Sequence, residues 1–125
     1  MIEWIKDYKH LEEAQEKNKG YLILAFYAGF SPSAKRVLVE LENFSKENEN
    51  IPIYVIDVEK VRGVHKQFEV KNVPTVLAFR EGRVTRRIEG VESARFYARI
   101  FSGGGSPPHK SSGKTISHRV VVYSG

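Results

Sequence analysis

Ser31, in the run Gly29-Phe30-Ser31-Pro32-Ser33, is the first residue placed to do chemistry. A serine written Gly-x-Ser-x-Gly at a turn from strand to helix presents its hydroxyl as a nucleophile. Here Ser33 replaces the second glycine, and the chain is short for a hydrolase of that kind. The candidate triad partners, Asp57 and His65, stand at no spacing that brings them to Ser31. A serine before proline at a helix start has a simpler role, capping the helix by accepting a backbone N–H. That role accounts for Ser31 without chemistry. The chain has no cysteine, which excludes disulfides, zinc–thiolate sites and a thiol nucleophile. His10, His65, His109 and His118 are scattered and share no ligand spacing with an acidic neighbour, so neither a metal nor another cofactor is expected. Ser112-Gly113-Lys114-Thr115 ends like a phosphate-binding loop, but Pro108 occupies the place of the required first glycine and no strand precedes it.

The elements that must position these residues come from a chain of 125 residues, enough for one domain with its own core. Its hydrophobic and charged fractions, 41% and 28%, are those of a soluble globular protein. No apolar run approaches the ~20 residues of a membrane span. The start, Met1-Ile2-Glu3-Trp4, has no basic region followed by an apolar core, so cytoplasmic residence without membrane attachment is the expectation. The net charge of +5 is uneven: residues 102–125 hold three basic residues and no acid, leaving residues 1–101 at +2. Such a domain is not built for nucleic acid. Arg80, Arg83, Arg86, Arg87, Arg95 and Arg99 read instead as a solvated edge.

Trp4, Ile5, Tyr8, Leu11 and Ala14 recur at helical spacing and predict an amphipathic helix closed by Asn18-Lys19-Gly20, with a short extended lead-in over residues 2–5. Residues 21–28 are apolar throughout, as in a strand covered on both faces. Ser31 and Pro32 then open a helix whose inner stripe is Ala34, Val37, Leu38, Leu41 and Phe44. Residues 53–57 form a further strand, and Val61, Val64, His65 and Phe68 suggest a short helix. Residues 75–79 and 83–88 flank the two-residue turn Glu81-Gly82 and read as a hairpin. In its return strand Val84, Arg86 and Ile88 are expected on one face. Phe96, Tyr97, Ile100 and Phe101 make the seam of a last helix. The order is α-β-α-β-α-β-β-α: an α/β fold in which two β-α-β crossovers give parallel strands and the hairpin adds an antiparallel edge. After Phe101 a Gly/Ser/Pro-rich linker leads to residues 115–123, rich in β-branched residues. This tail is either a strand or a vector-derived extension.

The stretch Phe26-Tyr27-Ala28-Gly29-Phe30-Ser31-Pro32-Ser33-Ala34-Lys35 resembles the active-site region of the thioredoxin family, where a strand leads through aromatic-Ala and Trp into Cys-Gly-Pro-Cys-Lys at a helix start. Asn72-Val73-Pro74-Thr75 is similar to the family's Ile-Pro-Thr segment, Ile56-Asp57 ends the intervening strand, and Glu81-Gly82 and Gly90 fall where the family has its hairpin turn and a later glycine. The resemblance covers about residues 1–101 and implies a thioredoxin-like domain, a central mixed β-sheet flanked by helices, followed by the β-prone tail 102–125. It implies a cis peptide bond before Pro74. It matches Ser31 to the nucleophilic cysteine, Ala34 to the resolving cysteine, Ala25 to the buried proton-shuttling acid and Phe30 to the tryptophan. A serine hydroxyl cannot accept a mixed disulfide and an alanine cannot resolve one, so the redox cycle is absent.

What remains is the family's partner groove, here Phe30, Ser31, Pro32, Val73, Pro74 and Thr75. The resemblance implies a redox-inactive binding module, chaperone-like or adaptor, that takes a protein or peptide partner by strand addition. The alternative is a thiol–disulfide oxidoreductase whose active-site cysteine has been replaced by serine. The tail, if a strand, is expected on an exposed sheet edge of its own copy, or of a neighbour to give a dimer.

Overall fold

The chain runs β1 (Ile2–Trp4), α1 (Tyr8–Lys17), β2 (Tyr21–Tyr27), α2 (Pro32–Lys46), β3 (Ile53–Asp57), α3 (Val64–Gln67), β4 (Thr75–Arg80), β5 (Arg83–Glu89) and α4 (Ala94–Phe101). The computed structural model describes residues 1–101; the expected strand over 115–123 lies outside the described residues. The strands form one mixed sheet in the order β1-β3-β2-β4-β5. β1 and β2 run parallel to β3, and β4 runs antiparallel to β2 and β5.

Alternation along β2 explains why its sequence is apolar without a break. Leu22, Leu24 and Phe26 join Leu11 and Ala14 of α1 and Val64 of α3. Ile23 and Ala25 join Val37, Leu41 and Phe44 of α2 and Tyr97 of α4. A strand buried on both faces has no position left for a polar residue. Each large side chain so buried contributes on the order of 1.5–3 kcal/mol, and the helices are held to the sheet chiefly by this.

Three local features differ from the periodicity. The first helix does not begin at Trp4; residues 2–4 take the extended lead-in of the sequence reading, as β1. Asp7 is its N-cap, the carboxylate Oδ1 accepting the His10 N–H at 2.8 Å. Trp4 lies in β1 opposite Val55, and the Ile5 N–H donates to the Val55 carbonyl at 2.8 Å. A good capping residue therefore overrides apolar spacing that would carry the helix further back.

The second difference is the direction of β4. Only one of the two expected parallel crossovers, β2-α2-β3, forms; the other parallel unit is β1-α1-β2, through the short first strand. The connection from β3 to β4, residues 58–74, has as its one helix the four residues of α3, about 6 Å long, which does not traverse the sheet. The chain therefore re-enters at the end where β3 stopped, and β4 runs back against β2.

The third is a bulge. Phe79 pairs with Val84 but Ala78 pairs with Arg86, leaving Thr85 as the extra residue, its hydroxyl donating to the Ala78 carbonyl at 3.1 Å. Val84 consequently lies on the face opposite Arg86 and Ile88 rather than with them. The hairpin turn itself follows the sequence reading, with positive φ at Glu81 and Gly82.

Candidate functional site

β2 ends at Tyr27 and β4 begins at Thr75, and Phe26 pairs with Thr75. The turn over residues 28–31 and the loop over residues 72–74 therefore leave adjacent strands at the same end of the sheet. All six residues of the expected groove lie on these two segments or at their junctions.

At the first segment the Ser31 N–H donates to the Ala28 carbonyl at 3.1 Å, closing the turn. Ser31 has extended backbone, and its Oγ accepts the Ala34 N–H at 3.0 Å, with Pro32 in the first helical turn. The hydroxyl is thus the cap of α2 and is nearly buried, 9% exposed. It is not arranged as a nucleophile: the Asp57 carboxylate accepts the Glu59 N–H at 2.9 Å, and His65 lies on α3. Phe30 and Pro32 face outwards, Phe30 with 61% of its surface exposed.

Ala34 is buried directly behind the cap. Ala25 is buried too, with Val55 opposite it on β3 and Val76 on β4. A carboxyl group at such a position would be held neutral by desolvation. Here the surroundings are aliphatic and no proton-transfer group is present. The first turn of α2 contains no acidic residue and carries Lys35, with Arg36 next in the helix, while the Glu59 carboxylate lies against Gly29 before it, 3.8 Å from where a Cβ on that glycine would stand.

At the second segment the Val73–Pro74 peptide bond is cis. The Thr75 hydroxyl donates to the Asn72 carbonyl at 2.7 Å, and the Gly90 N–H donates to the Pro74 carbonyl at 3.1 Å. Val73, Pro74 and Thr75 are buried, Thr75 completely. Thr75 therefore shapes the loop and presents no surface to a partner. Asn72 and Gly90 are the residues the sequence reading left out of the site. The signals in the sequence were the place of Asn72 before Val-Pro-Thr and the match of Gly90 to the family's later glycine. Among the described residues, the backbone N–H and carbonyl of Val73 have no hydrogen-bond partner.

Two concavities lie elsewhere. A polar one of about 450 Å³ is lined by Glu3, Lys6, His10, Lys17 and Tyr54 among others, and a more apolar one of about 400 Å³ by Ile2, Trp4, Leu38, Val39, Glu42 and Asn43. Among the described residues no group of His, Asp and Glu is arranged to hold a metal, and no helix is long and apolar enough to cross a membrane.

Comparison with known proteins agrees with the geometry. The family model described as Thioredoxin matches residues 4–101. Thioredoxin H5 of Arabidopsis thaliana is 23% identical over 95 residues, covering 76% of this chain and 80% of that protein. Thioredoxin-1 of Saccharomyces cerevisiae is 26% identical over 94 residues, covering 75% and 90%. Among solved structures, the thioredoxin of Plasmodium falciparum superposes with a TM-score of 0.72 at 18% identity, over 82% of this chain and 99% of that one. The thioredoxin of Fasciola hepatica does so with a TM-score of 0.71 at 16% identity, over 78% and 95%. With its sheet order, its helix cap at Ser31 and a family match from residue 4 to residue 101, the chain belongs to the thioredoxin family.

Proposed function

We propose that residues 1–101 form a cytoplasmic, redox-inactive binding module that holds an extended peptide between Phe30 and Pro32 on one side and the Val73–Thr75 loop on the other. The observation that carries this reading is the backbone of Val73, without a hydrogen-bond partner among the described residues, on the loop that leaves the sheet next to the segment of the exposed Phe30, where the resemblance puts Ser31 and Ala34 in the two redox positions. A peptide strand satisfies such unpaired backbone groups directly, and its side chains find apolar contact on Phe30 and Pro32. Ser31 and Thr75 set the geometry through the α2 cap and the Asn72 carbonyl, without bonding to the partner. In this reading the module is a chaperone-like or adaptor domain.

The test is selection of peptide ligands from a random display library on the whole chain, followed by titration against variants. Phe30→Glu should weaken a selected extended peptide about tenfold or more, a loss of about 1.4 kcal/mol. Ser31→Thr, which keeps the cap, should leave binding within experimental error. A library that yields ligands indifferent to Phe30→Glu would overturn the assignment of this surface.

A further inference from the structure

Ala34, Val37, Leu41, Phe44 and Ser45 of α2 face the sheet and are buried. On the opposite face Val39, 59% exposed, stands among Lys35, Arg36, Glu42, Asn43 and Lys46, all exposed. It is the middle residue of the helix, which runs Pro32–Lys46. The apolar concavity described above adjoins it, with Leu38 and Val39 on one wall and Ile2 and Trp4 of β1 on the other. Trp4 is itself 43% exposed. Exposed apolar side chains inside a charged rim are the pattern of a protein interface.

We propose that this surface docks the same surface of a second copy, α2 lying antiparallel on α2 about a twofold axis at Val39. The proposal does not rest on the peptide groove above.

A twofold contact needs a surface complementary to itself, and the charges of α2 meet that condition. In an antiparallel pair, a residue before Val39 on one flank meets a residue after Val39 on the same flank of the other copy. Lys35 and Glu42 are seven residues apart, so helical periodicity puts them on one flank, the side of Leu38 and Trp4. Lys35 therefore comes to the partner's Glu42, and Glu42 to the partner's Lys35. Among the described residues, neither Lys35 nor Glu42 is in an ion pair within its own chain. On the other flank Arg36 comes to the partner's Asn43, whose side-chain carbonyl is an acceptor.

The remaining charges of the helix do not oppose this register. Glu40 is turned to α4, where its carboxylate accepts the Ala94 N–H at 2.8 Å. Lys46 falls opposite the partner's Pro32, about a turn beyond the nearest like charge. A parallel pair would instead set Lys35 and Glu42 each against its own kind, which is destabilising. A strand added to β1 is another way to cover the concavity, but β1 has only three residues and offers little edge. The lysine stem of the second copy covers the apolar wall while its ammonium reaches Glu42.

Sedimentation equilibrium of the full chain over a range of concentration tests the proposal, with acrylamide quenching of Trp4, the chain's one tryptophan, measured in parallel. The parent should self-associate, and quenching should fall as it does. Lys35→Glu and Glu42→Lys should each raise the dissociation constant about tenfold, since symmetry makes every change act twice. The double variant restores opposite charges across the axis and should return to within about threefold of the parent. Val39→Asp should weaken the dimer as well. A parent that stays monomeric at about 1 mM overturns the proposal. So does a dimer indifferent to both single changes, which would place the contact elsewhere in the chain. A double variant no better than the single ones, or Trp4 quenching that does not follow association, overturns it equally.

Discussion

Ser31 caps α2 with the atom that would otherwise be its reactive group, so its loss is expected to be felt in stability rather than in chemistry. Ser31→Ala removes the bond to the Ala34 N–H and should cost about 1 kcal/mol in a urea titration. Ser31→Cys tests the electrostatics of the same position. With the helix N-terminus, Lys35 and Arg36 nearby, the new thiol should ionise below its ordinary pKa of about 8.5. The rate of alkylation by iodoacetamide against pH locates that midpoint, and a midpoint above the ordinary value would contradict the account. This variant should still fail to turn over disulfides, because Ala34 cannot resolve the mixed disulfide. Tyr97 is the other residue with a distinct expectation. Its hydroxyl is buried without a hydrogen-bond partner among the described residues, and burial first, then Glu92 and Glu40, push its pKa up. A phenol with a raised folded-state pKa stabilises the fold below its unfolded pKa, near 10, and loses that contribution as pH rises through the folded value. Stability should therefore fall above pH ~10, and Tyr97→Phe should reduce the fall without destabilising the protein at neutral pH. An unchanged alkaline limb in Tyr97→Phe would assign the loss to other groups.

At the level of elements, the contact between α1 and the start of α3 is fixed by one glycine. Gly63 has φ of +91°, and a Cβ there would stand 2.6 Å from the Tyr8 hydroxyl oxygen, which itself donates to the Arg62 carbonyl at 3.1 Å. Gly63→Ala should cost about 1–3 kcal/mol from left-handed backbone alone, with the clash in addition. In a Tyr8→Phe background, where that oxygen is absent, the penalty should be smaller; equal penalties in both backgrounds would mean that the clash is relieved at no cost. Gly63 was invisible in the sequence because nothing local distinguishes a left-handed glycine from any other in Val61-Arg62-Gly63-Val64. The elements that were legible are those with one dominant signal: the uninterrupted β2 run, Ser31-Pro32 at a helix start, and the Glu81-Gly82 turn. Those misread involve two competing signals. Trp4 and Ile5 fit a helical stripe, but Asp7 caps the helix after them. Val84 fits an alternating face, but the extra residue at Thr85 moves it to the other. The direction of β4 depends on where α3 leaves the chain, which no local pattern encodes.

Across the whole molecule, the sheet brings together two loops that are forty residues apart in sequence, and this pairing of the ends of β2 and β4 makes the candidate site. Sequence resemblance named six residues for it but not how they divide. Phe30 and Pro32 form outward surface, Ser31 and Thr75 hold the backbone in place, and Val73 offers unpaired backbone, a division that depends on burial and hydrogen bonding. The chain thus has the thioredoxin fold with these two neighbouring segments, and it contains no cysteine. The measurement that bears most directly on this account is the amide resonance of Val73 in the 15N-labelled full chain, followed during titration with a display-selected extended peptide. The account predicts that Val73 and Phe30 shift together and saturably, and that hydrogen exchange at the Val73 amide slows in the complex. A peptide that binds with Val73 exchange unchanged, its shifts confined to another face, would contradict it.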